Sequence, residues 1–355
     1  LRGAWDKVRD SIVLKFMVVA LTCYGMATFE GPLLSLKSVN IISHFTDWTI
    51  AHVHVGGLGW NGMLTFGMLY WLFPRLFGRE LYSKRMANMH FWIATLGILL
   101  YAIPMYWAGF AQGLMWQDFN PDGTLVNKDF LDTVTQLKPM YALRSLGGLL
   151  FLIVAIMMTY NLFKTARLGS FIGDEAAEAP ALVKTPKARR RGEYWHKAIE
   201  RRPVKMLVLS LIVILIGGLI EIIPTSIVES NIPTIASVQP YTPLELEGRD
   251  LYIREGCYNC HSQMVRPLRF ETERYGEYSK AGEFVYDHPF QWGSKRIGPD
   301  LAREGVGGGL LVKKGNKWHY QHLIDPQATS EGTLMPAYWW MAEDDLDTTL
   351  RRKKI

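Results

Sequence analysis

Five long apolar stretches run through roughly the first two thirds of this 355-residue chain, and they constrain its fold more than any other feature. Each is long enough for the ~20 residues that a helix needs to cross a bilayer. After about residue 230 the chain becomes polar and charged. The sequence therefore predicts an all-α membrane helix bundle followed by a polar domain. The predicted spans are about 11–34, 48–73, 87–111, 141–164 and 204–228.

Positive charge is unevenly divided between the two sides of these spans. Seventeen Lys and Arg residues fall in the segments on one side, against three on the other. By the positive-inside rule the first side is cytoplasmic, and five crossings then put the polar domain outside. The net charge of +6 arises mostly in cytoplasmic loops near anionic lipid, so we expect no nucleic-acid binding.

The polar domain contains the motif C-x-x-C-H, which is the attachment motif of a c-type haem. Cys257 and Cys260 would each form a thioether to the haem, and His261 would supply one axial bond to the iron. The alternatives are a disulfide or half of a zinc site. The chain has no second cysteine pair, and a disulfide would give the adjacent histidine no role. The motif therefore predicts haem c in a mainly α-helical cytochrome domain.

A second axial ligand of this haem is expected far along the chain, on the opposite face. Met335 precedes Pro336 in an irregular segment, which is typical of His/Met cytochromes, where a thioether ligand raises the potential. Met264 is too close to His261 to reach the other face, and Met341 is a weaker candidate. The ordinary alternative for Met335 is a core methionine.

Two histidines, His52 and His54, lie near the start of the second predicted span. Ionisable side chains at membrane depth are costly and usually functional. Residues two apart on a helix differ by about 200° around its axis, so the two imidazoles point to nearly opposite faces. Two cofactors flanking one helix could use both, and three nearby glycines would leave room for flat macrocycles. The alternative is a pair of polar core histidines bonded to neighbouring helices.

Longer segments resemble two subunits of one enzyme family. The run HFTDWTIAHVH, residues 44–54, resembles a helix region of the catalytic subunit of cbb3-type haem-copper oxidases, and residues 24–32 resemble the helix before it. Residues 257–279 and 291–296 are similar to the monohaem cytochrome subunit of the same enzyme. The resemblance implies the C-terminal part of the catalytic subunit fused to the monohaem subunit.

This interpretation divides the chain into four regions. A basic linker is expected between two originally separate polypeptides, although an ordinary long cytoplasmic loop is the alternative. We also expect the chain to start within a larger protein, because it has no initiator Met and no signal-peptide cleavage site. The regions are catalytic-subunit transmembrane helices at 1–164, the linker at 165–203, a single transmembrane anchor at 204–228 and the cytochrome c domain at 240–355.

The resemblance also implies roles for individual residues. His52 would be the proximal ligand of haem b3, where oxygen binds, and His54 would be one of two ligands of the low-spin haem b. Glu30 would share a hydrogen bond with the His52 imidazole, and His44 would lie near a haem b3 propionate. Tyr24 would lie on the proton-uptake route. A pairing with a neighbouring helix remains the alternative for Glu30, and an interfacial aromatic for Tyr24.

The implied activity is that of a proton-pumping terminal oxidase. Electrons would pass from cytochrome c through haem c and haem b to a haem b3–copper site, where oxygen is reduced to water. Neither His90 nor His196 suits copper, so the copper ligands and the second haem b ligand would lie outside this chain. A nitric oxide reductase-like enzyme, or a membrane-anchored electron-transfer cytochrome without its own catalysis, is the alternative.

The same resemblance implies partners and a location. The partners would be the remaining N-terminal part of the catalytic subunit, an additional c-type cytochrome subunit, an electron-donor cytochrome and membrane lipid. The location would be the bacterial inner membrane, with the cytochrome domain on the periplasmic side.

Overall fold

The computed structural model describes residues 5–173, 192, 194–228 and 234–344, and over these ranges its regular structure is helical, without a β-strand. A π-helix, Val55–Gly62, joins α4 to α5, and short 3₁₀ turns occupy Cys257–Asn259, Ala281–Phe284 and Trp339–Ala342. The α-helices, in chain order, are α1 (Trp5–Val8), α2 (Ile12–Ser35), α3 (Lys37–Ser43), α4 (Asp47–His54), α5 (Met63–Leu76), α6 (Lys84–Trp116), α7 (Phe130–Leu168), α8 (Trp195–Glu200), α9 (Pro203–Ile227), α10 (Pro243–Arg254), α11 (Arg269–Tyr275), α12 (Asn316–Ile324) and α13 (Pro326–Thr329).

Four of these helices, α2, α6, α7 and α9, are long and apolar enough to cross a membrane. The fifth predicted span is also helical, but it consists of α4, the π-helix and α5 in succession. The prediction of an all-α bundle followed by a mainly α-helical polar domain is confirmed over the described residues.

Small residues let the two longest helices approach closely. A Cβ atom placed on Gly97 of α6 would lie 3.0 Å from the Gly147 carbonyl oxygen of α7. A Cβ on Gly147 would lie 2.8 Å from the Tyr101 nitrogen. Because neither position has room for a side chain, the α6 and α7 backbones meet at this point, as is common for packed membrane helices.

The bundle core lies on both sides of this contact. One cluster of buried side chains, which includes Phe16, Tyr70 and Phe91, packs α2, α5 and α6 together with α7. A second cluster, which includes Ile50 and Met105, packs α4 against α6 and α7. The helix that carries His52 and His54 is therefore held by apolar contacts on its other positions.

The residues fall into two compact units. The larger unit comprises residues 1–173, 241–279 and 287–355, and the smaller comprises 174–240 and 280–286. Within the smaller unit, no described side chain of α9 is buried, although the helix is apolar on all sides. Such a helix suits a single membrane anchor.

Candidate functional site

A cavity of about 580 Å³ lies at the C-x-x-C-H motif, within the range usual for cofactor sites. Its lining includes Cys257, Cys260 and His261 from the motif and, from the other end of the region, Met335. Neither thiol is in a disulfide. The structure thus brings together all four residues that the sequence predicted for haem c.

The His261 imidazole is oriented by a backbone contact. Its Nδ1–H donates to the Pro299 carbonyl oxygen at 2.8 Å, which leaves Nε2 available for a metal. Burial lowers the pKa of His261, so the ring stays neutral at pH 7 and keeps a lone pair for coordination. The backbone of Gly298 lies against this ring, where a Cβ would collide with it.

The other two methionines considered for this haem lie elsewhere. Met264 packs with Phe45 and Phe270 in a separate cluster. Met341 lies in the last 3₁₀ turn and does not line the cavity. Of the three candidates, Met335 alone faces the space beside His261.

The cavity wall also contains residues that the sequence did not single out. Trp318 and His322, one turn apart on α12, stack with ring centroids 4.5 Å apart. A hydrogen bond of 2.6 Å joins His322 Nδ1 to the Thr329 hydroxyl. Their spacing of four residues places both rings on one helix face, which was the available sequence signal.

A second site is centred on Glu30, in the membrane bundle. Its carboxylate accepts hydrogen bonds from His52 Nδ1 at 3.2 Å, Trp48 Nε1 at 2.5 Å and the Tyr106 hydroxyl at 2.6 Å. Glu30 is nearly buried, and three donors converge on it. No hydrogen bond of His52 Nε2 is found among the described residues, so this nitrogen is the one positioned to bind a metal.

His54 has a different environment from His52. Its Nδ1–H donates to the Ile50 carbonyl oxygen at 2.8 Å, and Nε2 accepts from the Tyr101 hydroxyl at 3.0 Å. The two rings also stack, with centroids 4.3 Å apart. Ligation of an iron by Nε2 therefore requires Tyr101 to give up this contact. The two histidines therefore have different partners, Glu30 for His52 and the Ile50 carbonyl and Tyr101 for His54.

The glycines after His54 serve more than one purpose. A Cβ on Gly59 would lie 2.7 Å from Cys23 Sγ, so this glycine lets α2 pack against the π-helix. A Cβ on Gly57 would meet nothing within 4 Å. Of Gly56, Gly57 and Gly59, only Gly57 has open space beside it, and it lies on the exposed surface. π-helices are also frequent at functional sites.

His44 and Tyr24 lie apart from the Glu30 network. The His44 ring stacks on Phe45 with centroids 4.1 Å apart. Burial and the nearby guanidinium groups of Arg266 and Arg296 lower the pKa of His44 to about 4, so it is neutral at pH 7. Tyr24 is 41% exposed and packs on Trp60, with centroids 4.7 Å apart.

The two histidines that were not assigned to a metal also have partners. A hydrogen bond of 2.9 Å joins His90 Nδ1 to the Tyr70 hydroxyl in the bundle core. His196 stacks on Tyr194 in the smaller unit.

A bundle of long apolar helices that carries a histidine pair and is joined to a C-x-x-C-H cavity is typical of membrane-bound cytochromes. Comparisons with known proteins agree with this class. Residues 1–150 match the family Cytochrome C and Quinol oxidase polypeptide I. Residues 196–355 match the family Cytochrome C oxidase, mono-heme subunit/FixO. The chain thus combines a segment similar to the catalytic polypeptide of cytochrome c oxidases with a segment similar to their mono-haem subunit.

Individual relatives agree with the first of these matches. Cytochrome c oxidase subunit 1 of Rhodobacter capsulatus is 52% identical over 182 residues, which are 51% of this chain and 34% of the relative. Cbb3-type cytochrome c oxidase subunit CcoN1 of Stutzerimonas stutzeri is 47% identical over 168 residues, 47% of this chain and 35% of the relative. A nitric oxide reductase chain of the same organism is 27% identical over 162 residues, 44% of this chain and 33% of the relative.

The chain spans about a third of the length of these curated relatives. The two family matches imply haem cofactors. Together with the four apolar helices, they indicate a membrane protein.

Proposed function

We propose that this chain is part of a proton-pumping terminal oxidase that transfers electrons from a cytochrome c to oxygen. The observation that carries this proposal is that one chain holds two kinds of site: the Glu30–His52 pair in the bundle and the C-x-x-C-H cavity. When bound, haem groups supply one-electron transfer and, at an iron with an open position, the binding of oxygen.

In the cytochrome domain, the proposed attachment uses residues of a single cavity. Cys257 and Cys260 would hold haem c covalently through their sulfurs, and His261 and Met335 would hold its iron. The Pro299 carbonyl supports this assignment, because its hydrogen bond to Nδ1 presents His261 Nε2 to the cavity.

In the bundle, His52 is the proposed ligand of haem b3 and His54 of haem b. Glu30 keeps the Nδ1 proton of His52 in place, and a carboxylate partner makes an imidazole a stronger donor to iron. The neutral ring of His44 is the proposed neighbour of a haem b3 propionate. Tyr24, exposed on the bundle surface, is the proposed contribution to proton uptake.

The rest of the active site is proposed to come from other polypeptide segments. The remaining N-terminal part of the catalytic subunit supplies the copper ligands and the second haem b ligand. An additional c-type cytochrome subunit and a donor cytochrome deliver electrons. We place the complex in the bacterial inner membrane, with the cytochrome domain periplasmic, because the loop charges favour this orientation. The proposed regions are the catalytic-subunit helices at 1–164, the linker at 165–203, the anchor at 204–228 and the cytochrome c domain at 240–355, with linker residues 174–191 and 193 outside the described ranges.

A second candidate is nitric oxide reduction, since one relative carries that name. The oxidase is favoured because the oxidase subunits of Rhodobacter capsulatus and Stutzerimonas stutzeri are 52% and 47% identical to this chain, against 27% for the nitric oxide reductase chain. The purified complex should consume oxygen when it receives reduced cytochrome c. Faster turnover of nitric oxide than of oxygen would favour the second candidate. If the haems accept electrons but neither gas is consumed, the chain acts as an electron carrier without catalysis of its own.

The proposed sixth ligand of haem c can be tested on its own. Met335→His should keep haem c attached and lower its midpoint potential by roughly 0.1 V, within the ~0.8 V range that axial ligands span, because imidazole stabilises ferric iron more than a thioether does. Redox titration of the haem c absorbance measures this. Met341→His, outside the cavity lining, is the control and should leave the potential unchanged. The reverse pattern would transfer the ligand role to Met341.

A further inference from the structure

Two arginines of the cytochrome region donate hydrogen bonds to backbone carbonyls in a loop of the helix bundle. Arg269 Nη2 donates to the Gly123 carbonyl oxygen at 2.9 Å, and its guanidinium lies 4.3 Å from the centre of the Phe119 ring. Arg274 donates to the carbonyl oxygens of Lys128 at 3.0 Å and Asn127 at 2.6 Å. Both arginines belong to α11, which therefore lies on the loop between α6 and α7.

A second contact is centred on Phe45, directly before α4. Phe45 is fully buried, and its φ of +66° is uncommon for a residue other than glycine, so surrounding contacts must hold it. The Arg296 guanidinium lies 4.4 Å from the ring centre and that of Arg266 lies 5.6 Å away. The Arg296 backbone N–H donates to the Phe45 carbonyl oxygen at 2.8 Å, in a parallel bridge that pairs Phe45 with Lys295.

The charges around Phe45 are balanced. Arg266 pairs with Glu271, and Arg296 pairs with Glu271 at 3.0 Å and with Asp300 at 3.2 Å. Burial alone would raise the pKa of Glu271, but the guanidinium groups of Arg296 and Arg266 bring it below its usual value. Two cations and two anions therefore form a buried network, which salt screens much less than it screens surface pairs.

The segment at residues 295–299 connects Phe45 to the proposed haem c site. The N–H groups of Ile297 and Gly298 donate to the Cys260 carbonyl oxygen at 2.9 and 3.0 Å. The next residue, Pro299, accepts the hydrogen bond from His261. One short segment thus contacts Phe45 at its start and the C-x-x-C-H motif at its end.

On the bundle side, Phe45 directly precedes the N-cap of the helix that carries the other proposed haem ligands. Thr46 caps α4, its hydroxyl accepting from the Trp48 N–H at 3.3 Å. His52 and His54 follow on the same helix. A continuous packed route therefore runs from His261 through Arg296 and Phe45 to α4.

We propose that Phe45 and Arg296 are positioning residues, which fix the distance between haem c and the haems bound on α4. This inference rests on the proposed function, because it assumes those haem sites. Electron transfer between two fixed groups slows steeply as their separation grows. A junction that fixes the haem c ligands relative to the histidines of α4 would keep that separation constant during turnover.

The test compares two phenylalanines that each lie beside an arginine, in the complete oxidase complex. Phe45→Ala should slow electron equilibration between haem c and the low-spin haem on the order of tenfold, since small displacements of reacting groups carry penalties of this size or larger. Phe119→Ala removes the ring beside Arg269, which packs at the edge of the same apolar cluster but takes no part in the Phe45–Arg296 contact, and should leave that rate nearly unchanged. Absorbance changes after photolysis of carbon monoxide report the rate, and reduced-minus-oxidised spectra report haem content.

A second measurement tests the junction without electron transfer. A protease site inserted between residues 174 and 191 allows the purified chain to be cut in detergent. The cytochrome fragment should remain with residues 1–173 at about 1 M salt, where surface pairs are screened beyond ~3 Å. The retained fraction should fall in Phe45→Ala, which loses the ring beside Arg266 and Arg296 but keeps the Arg269 and Arg274 contacts with the loop.

The two measurements distinguish a failure of the proposed role of Phe45 from a failure of the proposed function. Equal transfer rates and equal retention for Phe45→Ala and the parent, with haem content intact, would overturn the inference. If Phe45→Ala loses haem, Phe45→Leu keeps most of the volume without the aromatic face, and an unchanged rate there would overturn it instead. If the parent complex shows no transfer between haems, the proposed function fails, while the retention measurement still decides whether Phe45 holds the junction.

Discussion

Replacing Cys257 and Cys260 together with alanine should leave the denatured chain without covalently bound haem, and Cys257→Ala alone should remove it as well. Both thiols line the cavity beside His261, and neither is in a disulfide. Each thioether bond needs one cysteine thiol, and the C-x-x-C-H motif attaches the haem through two such bonds. Haem-dependent peroxidase staining of a denaturing gel measures the result.

The matched control for this experiment is the third cysteine. Cys23 is a buried free thiol that lies against Gly59 in the bundle, far from the C-x-x-C-H motif in the sequence. Cys23→Ala should keep full staining, with the amount of chain checked by immunoblot. The b-type haem spectrum should survive the loss of haem c. Full staining of the double variant would show that the haem is attached elsewhere.

The membrane spans were predictable because hydrophobic length is a strong signal. The predicted span at 11–34 corresponds to Ile12–Ser35, and that at 204–228 to Pro203–Ile227. The predicted span at 141–164 is the middle of α7, which begins eleven residues earlier, at Phe130. Charged residues and Pro139 interrupt the apolar pattern in that first part. The hydrophobic stretch is therefore shorter at its N-terminal end than the helix itself.

The break at Val55–Gly62 was not predictable from the same signal. A π-helix is defined by backbone hydrogen bonds between residues five apart, and the periodicity of apolar residues does not reveal this bonding pattern. Its glycines were interpreted as space for cofactors. Gly59 instead accommodates Cys23 of α2, a contact between residues that are 36 positions apart in the sequence.

The candidate sites show the same division between local and long-range information. The Cys257–His261 spacing and the His52–His54 pair are local patterns with a direct chemical meaning. Trp48 precedes His52 by one helical turn, so its contact with Glu30 had a usable local signal. Tyr106 and Tyr101 reach the same region from α6, and nothing in their own sequence neighbourhood indicates it.

The arginine contacts could not be predicted for a different reason. Arg266 and Arg296 lie in segments whose resemblance to the monohaem cytochrome subunit was their only sequence signal. Their role is visible only once folding brings residues 266 and 296 to Phe45, more than 200 positions earlier in the chain. Buried arginines are uncommon without charged partners. Arginines with Glu and Asp nearby in the sequence are therefore the pattern that indicates burial.

His52→Ala and His54→Ala should each abolish one haem signal, and the two lost signals should differ. His54→Ala should remove the low-spin b spectrum and stop electron delivery. His52→Ala should remove the five-coordinate iron that binds carbon monoxide, while the low-spin spectrum remains. The physical reason is the separate anchoring of the rings, since His52 is held by Glu30 and His54 by the Ile50 carbonyl and Tyr101.

Assembly is the main confounder of this comparison, because removing a buried ring leaves a cavity that costs stability. His90 provides the control, since it is a third histidine of the bundle, fully buried and bonded to Tyr70, with no proposed metal. His90→Ala should lower the amount of protein without removing either spectrum selectively. Spectra normalised to the immunoblot signal of each variant then separate ligation from stability. If His52→Ala and His54→Ala both assemble and lose the same haem, α4 cannot carry two haem ligands on opposite faces.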